Sequence, residues 1–86
     1  MARYEILLRQ SVLKKELLKL PKVDVQKIMA AIRSLSDTPR PPGIQRLSGQ
    51  ERYRIRQGDY RIIFSIQDAE RTIWIVKIGH RRDVYK

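Results

Sequence analysis

The stretch ERYRIRQGDYRII, Glu51 to Ile63, alternates apolar and polar residues with a period of two, stops at Gly58-Asp59 and then resumes. A β-hairpin accommodates this pattern, because successive side chains of a strand point to opposite faces. Glycine at the first central position of a two-residue connection suits a type II′ turn. Such a turn pairs Gln57 with Tyr60, Ile55 with Ile62 and Tyr53 with Phe64. One face then carries Tyr53, Ile55, Tyr60, Ile62 and Phe64. The other carries Arg54, Arg56 and Arg61, with Arg56 directly opposite Arg61. A one-residue slip would bury the arginines, so the register is strongly specified. Like charges opposed across strands destabilise a sheet. An anionic ligand outside the sheet would compensate for them.

A third strand is expected at Thr72–Ile78, after a turn within Gln67–Arg71. With Ile66 paired to Thr72, Trp74, Val76 and Ile78 join the apolar face. Lys77 then falls opposite Arg61 on the basic face, with Ile63, Ile73 and Ile75 beside it. Upstream, Tyr4–Leu8 reads as a short, largely buried strand. Ser11 is a candidate cap for a helix bearing Leu13, Leu17 and Leu20 on one side, and Pro21 breaks that helix. Asp24 is a candidate cap for a second helix with the stripe Val25, Ile28, Met29, Ile32 and Leu35. The short join predicts an antiparallel helical hairpin. SDTPRPPGIQRLSG, rich in proline and glycine, reads as a loop. The expected fold is α+β: an N-terminal strand, the helical hairpin and a three-stranded antiparallel meander, in one small sheet with helices on one face.

At 86 residues the chain is expected to be a single domain over residues 1–86. Lys and Arg number 19 against 9 Asp and Glu, for a net charge of +10, which draws a chain to polyanions such as nucleic acid or the ribosome. There are no cysteines, which excludes disulfides and thiolate metal sites and fits a cytoplasmic protein. No apolar run reaches the roughly 18 residues of a membrane span, so no membrane partner is expected. One histidine among scattered acids offers no metal-ligand cluster, and no cofactor is expected. Arginine's planar fork matches phosphate and keeps its charge at any working pH. His80 follows the third strand after Gly79 and is expected at the rim of the basic face.

The order of elements, with the phrases YRIRQGDYRIIFSI and VKIGHRRDVYK, resembles the RelE/ParE superfamily of bacterial toxins, specifically its RelE-like branch. The likeness covers nearly the whole chain, and its specificity lies in the set of phrases. It implies a toxin of a type II toxin–antitoxin system: a ribosome-dependent endoribonuclease, or mRNA interferase, that cuts messenger RNA in the A site. A cognate antitoxin would hold it inactive in a toxin–antitoxin hetero-oligomer. By position, the family's active-site set falls on Arg54, Arg56, Arg61, Arg81 and Tyr85. Best-known members carry lysines where this chain has Arg54 and Arg56, so that pair is expected to act electrostatically. The implied chemistry is metal-independent attack of the RNA 2′-OH on the adjacent phosphorus. Tyr85 would take the proton, and Arg81 or His80 would assist the leaving oxygen. The alternative is a ParE-like toxin that inhibits DNA gyrase by binding. Arg81 and Tyr85 after the last strand favour the nuclease.

Overall fold

The computed structural model describes residues 3–47 and 51–80. In chain order it has β1 (Glu5–Leu8), a π-helical segment (Val12–Glu16) that tightens into a 3-10 turn (Leu17–Lys19), α1 (Lys22–Ser34), β2 (Gln45–Arg46), β3 (Arg52–Gln57), β4 (Tyr60–Gln67) and β5 (Thr72–His80). The strands form one five-stranded sheet in the order β1-β5-β4-β3-β2. β1 runs parallel to β5, and the other pairings are antiparallel. The fold is α+β, with the meander expected from the sequence at its centre. The N-terminal strand joins the sheet as expected, and two details go beyond the expectation. β1 closes one edge against β5, and a two-residue strand, β2, lies within the loop and closes the other.

The β3–β4 hairpin has the expected register, including Arg56 opposite Arg61. Gly58 carries a positive φ of 60° and Asp59 does not, as a type II′ turn requires. The β4–β5 register departs from expectation. The turn is one residue shorter, with the Arg71 N–H donating to the Asp68 carbonyl at 3.1 Å and Arg71 in the left-handed region at φ 49°. Gln67 therefore pairs with Thr72, and Ile66 with Ile73. Further along, Phe64 faces Ile75 but Ile63 faces Lys77, so Val76 is the extra residue of a β-bulge. The apolar spacing explains it. Ile73, Ile75 and Ile78 are all buried, and a step of three within a period-two strand needs one inserted residue. The core-side residues of β5 are thus Ile73, Ile75 and Ile78, whereas Trp74 faces outward. Arg61 lies opposite Gly79 rather than Lys77.

The first helical segment is also shifted. Ser11 makes no side-chain cap. Val12 is fully buried, while Leu13 is exposed, and Leu17 and Leu20 pack against the core edge. The wide π turn is the cause: the Leu17 N–H reaches back to the Val12 carbonyl, so the buried side runs from Val12 to Leu17 instead of from Leu13. α1 begins at Lys22, directly after Pro21, which leaves Asp24 inside its first turn. Its carboxylate accepts a hydrogen bond from the Tyr60 hydroxyl at 2.9 Å rather than capping the helix. Ile28, Ile32 and Leu35 are fully buried against Ile55, Ile62, Phe64, Ile66 and the three β5 isoleucines. Where β1 ends, the Glu16 carboxylate accepts the Ile78 N–H at 2.9 Å, which blunts the exposed edge of β5.

A polar clasp ties the loop to the sheet. Asp68 in the β4–β5 turn accepts two hydrogen bonds from Arg40, at 3.2 and 2.9 Å, and one from the Tyr4 hydroxyl at 2.6 Å. The Arg40 guanidinium also lies 5.4 Å from the centre of the Tyr53 ring. The Arg40 and Tyr4 hydrogen bonds favour the charged carboxylate and hold the Asp68 pKa down to about 2. A carboxyl depressed on folding contributes stability above its unfolded pKa and loses it as pH falls through the folded one. Asp68→Asn is therefore expected to lower the urea midpoint near neutral pH. The gap to wild type should close as pH falls from 3.8 to about 2, measured by denaturation at a series of pH values.

Candidate functional site

Arg54 and Arg56 stand on β3 and Arg61 on β4, all on the face opposite the core. The type II′ turn and the period-two strands put them there. They line a cleft of about 200 Å³ together with Gly43, Gln45 and Ile55. The loop supplies its remaining wall. Gly43 takes φ 86°, a conformation open to glycine, and the chain then enters β2, where Gln45 lies opposite Arg54. The Gln45 side-chain oxygen accepts a hydrogen bond from Arg54 Nη2. Arg56 Nε donates to the Gly58 carbonyl at 3.0 Å, which fixes the guanidinium along the turn. Arg61 Nη1 is buried and has no hydrogen-bond partner among the described residues. A buried donor left unsatisfied costs about 1–3 kcal/mol. Three guanidinium groups, one with a donor held out of water and unspent, make a rigid receptor for an oxyanion such as phosphate.

The remaining sequence-predicted residues are placed differently. His80 pairs with Tyr60 across β4–β5, so its ring lies on the helix side of the sheet and not at the rim of the basic face. The two rings meet edge to face at 5.9 Å and 84°. His80 lines a separate hollow of about 240 Å³ with Asp24, Lys27, Asp59 and Tyr60. There the hydrogen bond to the Asp24 carboxylate pushes the Tyr60 hydroxyl pKa up. Alternation from the buried Ile78 puts His80 on the apolar side, because β5 continues through His80 instead of ending at Ile78. Lys77 is on the outer face but opposite Ile63. Arg81 and Tyr85 lie outside the described residues.

Sequence reasoning missed Gln45 and Gly43, because the loop carries no periodic signal. It also missed a second hollow of about 690 Å³ on the outer face, lined by Arg9, Glu51, Arg52, Ser65, Gln67, Trp74 and Val76. The signal for Trp74 was present in the uneven spacing of Ile73, Ile75 and Ile78.

The sequence model of the ParE toxins of type II toxin–antitoxin systems, parDE, matches residues 8–85. The chain therefore belongs to that family, and so to the RelE/ParE superfamily of type II toxins. Among solved structures, it is similar to archaeal RelE–RelB from Pyrococcus horikoshii OT3, at 29% identity and a TM-score of 0.83, covering 96% of this chain and 99% of that one. A RelBE toxin–antitoxin complex from Mycobacterium tuberculosis matches at 24% identity and a TM-score of 0.79, covering 92% and 99%. The isolated RelE toxin of E. coli matches at 22% identity and a TM-score of 0.77, covering 95% and 90%. A search of curated proteins returned no match. Among the described residues, no helix is long and apolar enough to cross a membrane.

The unspent donor of Arg61 generates a test. Arg61→Leu should leave the protein folded and raise its stability by about 1 kcal/mol in urea, because it removes an unsatisfied buried donor and a like-charge pair. Inorganic phosphate should raise the melting temperature of wild type clearly more than that of the variant. A variant that unfolds more readily than wild type would make Arg61 a structural residue.

Proposed function

We propose that this toxin is a ribosome-dependent endoribonuclease that cleaves messenger RNA in the A site and thereby inhibits translation. The observation that carries this reading is the convergence of Arg54, Arg56 and Arg61 from two strands on one cleft, with a buried Arg61 donor unspent among the described residues. The cleft lies on a face that no described helix covers. The scissile phosphate seats there. The RNA 2′-OH attacks the adjacent phosphorus, forming a 2′,3′-cyclic phosphate and releasing a 5′-OH. Negative charge grows on the non-bridging oxygens during this step, and the three guanidinium groups are aimed at it. They bind and neutralise but do not exchange protons. By resemblance, Tyr85 takes the 2′-OH proton and Arg81 assists the leaving 5′ oxygen. His80, on the helix side, is the weaker candidate for that second role. With no strong base beside the arginines among the described residues, alignment of the RNA falls to the ribosome.

A cognate antitoxin is the expected partner in a toxin–antitoxin hetero-oligomer. Leu13, Leu18 and Val23 are exposed on the helical segments, with Leu18 at 77%, and offer apolar anchors to an amphipathic segment. Acidic side chains of the same partner would cover the arginines.

The family match favours a second reading, a ParE-like toxin that inhibits DNA gyrase by binding. Two assays separate the readings. In translation reactions with primer extension, the ribonuclease gives discrete A-site cuts. Arg61→Ala should reduce the single-turnover rate by orders of magnitude while folding is retained, and Tyr85→Phe by about 10²–10⁴. In a supercoiling assay with purified gyrase, the same protein should have no effect. Inhibited supercoiling with intact messenger RNA would establish the second reading instead.

A further inference from the structure

The hollow around Trp74 has no part in the chemistry proposed above, yet it lies on the same face of the sheet. Trp74 on β5 pairs with Ser65 on β4, and Ser65 pairs with Arg52 on β3. The three therefore form one row across the outer face. Arg52, Arg54 and Arg56 share that face at alternate positions of β3, so an arginine line leads from the cleft to this row. The Arg56–Arg61 pair lies four residues from it, about 13 Å along the strands at about 3.3 Å per residue. About two nucleotides of an extended single strand span that distance. Arg9 enters from the other side, its backbone N–H anchored on the Ile75 carbonyl at 3.1 Å. Gln67 and Glu51 complete the rim.

We infer that this hollow is a nucleobase subsite, in which a nucleotide flanking the scissile phosphate stacks on Trp74 while Arg52 and Arg9 hold its backbone. The chemistry matches at each position. A half-exposed indole is a stacking surface for any base. Arginine binds the backbone, and its plane also stacks on bases. Ser65 and Gln67 offer both donors and acceptors to a base edge, and the Glu51 carboxylate accepts from an exocyclic amine. A polyphosphate would use the arginines but leave the indole and the amide idle. An acidic peptide would use the arginines but brings no base to stack on the indole. Single-stranded RNA uses the whole set. The inference deepens the ribonuclease reading and rests on it for the identity of the strand.

Trp74 is the only tryptophan in the chain, so its fluorescence reports the hollow directly. The full chain is titrated with a short 2′-O-methyl oligoadenylate, which lacks the attacking hydroxyl and is not cut. Saturable quenching is expected, whereas inorganic polyphosphate and polyglutamate should leave the emission unchanged. By anisotropy of the labelled oligonucleotide, Trp74→Leu should bind at least about fivefold more weakly. Trp74→Phe, which keeps a stacking ring, should recover most of that loss, and both should melt cooperatively. Recovery by phenylalanine distinguishes stacking from a general loss of fold. Quenching by polyphosphate equal to that by RNA would overturn the inference, as would quenching by polyglutamate alone or unchanged affinity in Trp74→Leu. The ribosome assay is independent of this test. Quenching without A-site cuts would uphold the subsite and sink the ribonuclease, and cuts without quenching would do the reverse.

Discussion

Burial of Ile55, Ile62 and Phe64 beneath α1 holds Arg56 against Arg61. Each fully buried side chain of this kind contributes about 1.5–3 kcal/mol. A like-charge pair across strands costs a fraction of a kcal/mol to about 1, and the unsatisfied Arg61 donor about 1–3. The apolar face therefore wins, and the arginines have no register to escape into. The hydrophobic core assembles the candidate site as a by-product of its own packing. Such an arrangement stores a local cost at the surface that a ligand can relieve, the usual relation between stability and activity at binding sites.

One inserted residue does much of the remaining work. The bulge at Val76 keeps Ile78 in the core and Trp74 outside. It also turns His80 toward Tyr60 and leaves Gly79, which has no side chain, opposite Arg61. On the opposite flank, the Arg40–Asp68–Tyr4 clasp fixes the loop that carries Gly43 and Gln45 to the cleft. The loop is thus tied at its start by ionic hydrogen bonds and at its end by pairing with β3.

Much of this was legible in the sequence, and the rest was not for identifiable reasons. The β3–β4 hairpin could be read residue by residue because its turn and its alternation specify the same register. The stripe on α1 held for the same reason, since an uninterrupted 3.6-residue period leaves one buried side. The first helical segment misled because Leu13, Leu17 and Leu20 satisfy an α-helical period that the chain does not follow there. β2 was invisible: two polar residues carry no pattern, and their pairing is set by the loop. The β4–β5 register failed at two linked points, the length of the turn closed by Arg71 and the bulge at Val76. Weighing the isoleucines of β5 before the turn would have placed Trp74 correctly. Arg54, Arg56 and Arg61 were found because charge on a strand obeys the same period as hydrophobicity. Gln45 was not, because nothing local marks a residue whose role comes from its neighbour across a sheet.

The parallel pairing of β1 with β5 has a consequence for the birth of the molecule. Glu5 meets Thr72, and Leu8 meets Ile75, so the earliest strand waits for the latest. Contacts so distant along the chain form slowly and carry a large loop-closure entropy. During synthesis β1 has no sheet to join until β5 has emerged, and Val12 and Ile28 have no finished floor to pack on. The nascent chain thus matures only after most of it has left the ribosome that made it. The β3–β4 hairpin can gather its arginines early, because its pairing is local, but the core that fixes their face is finished only when β5 arrives.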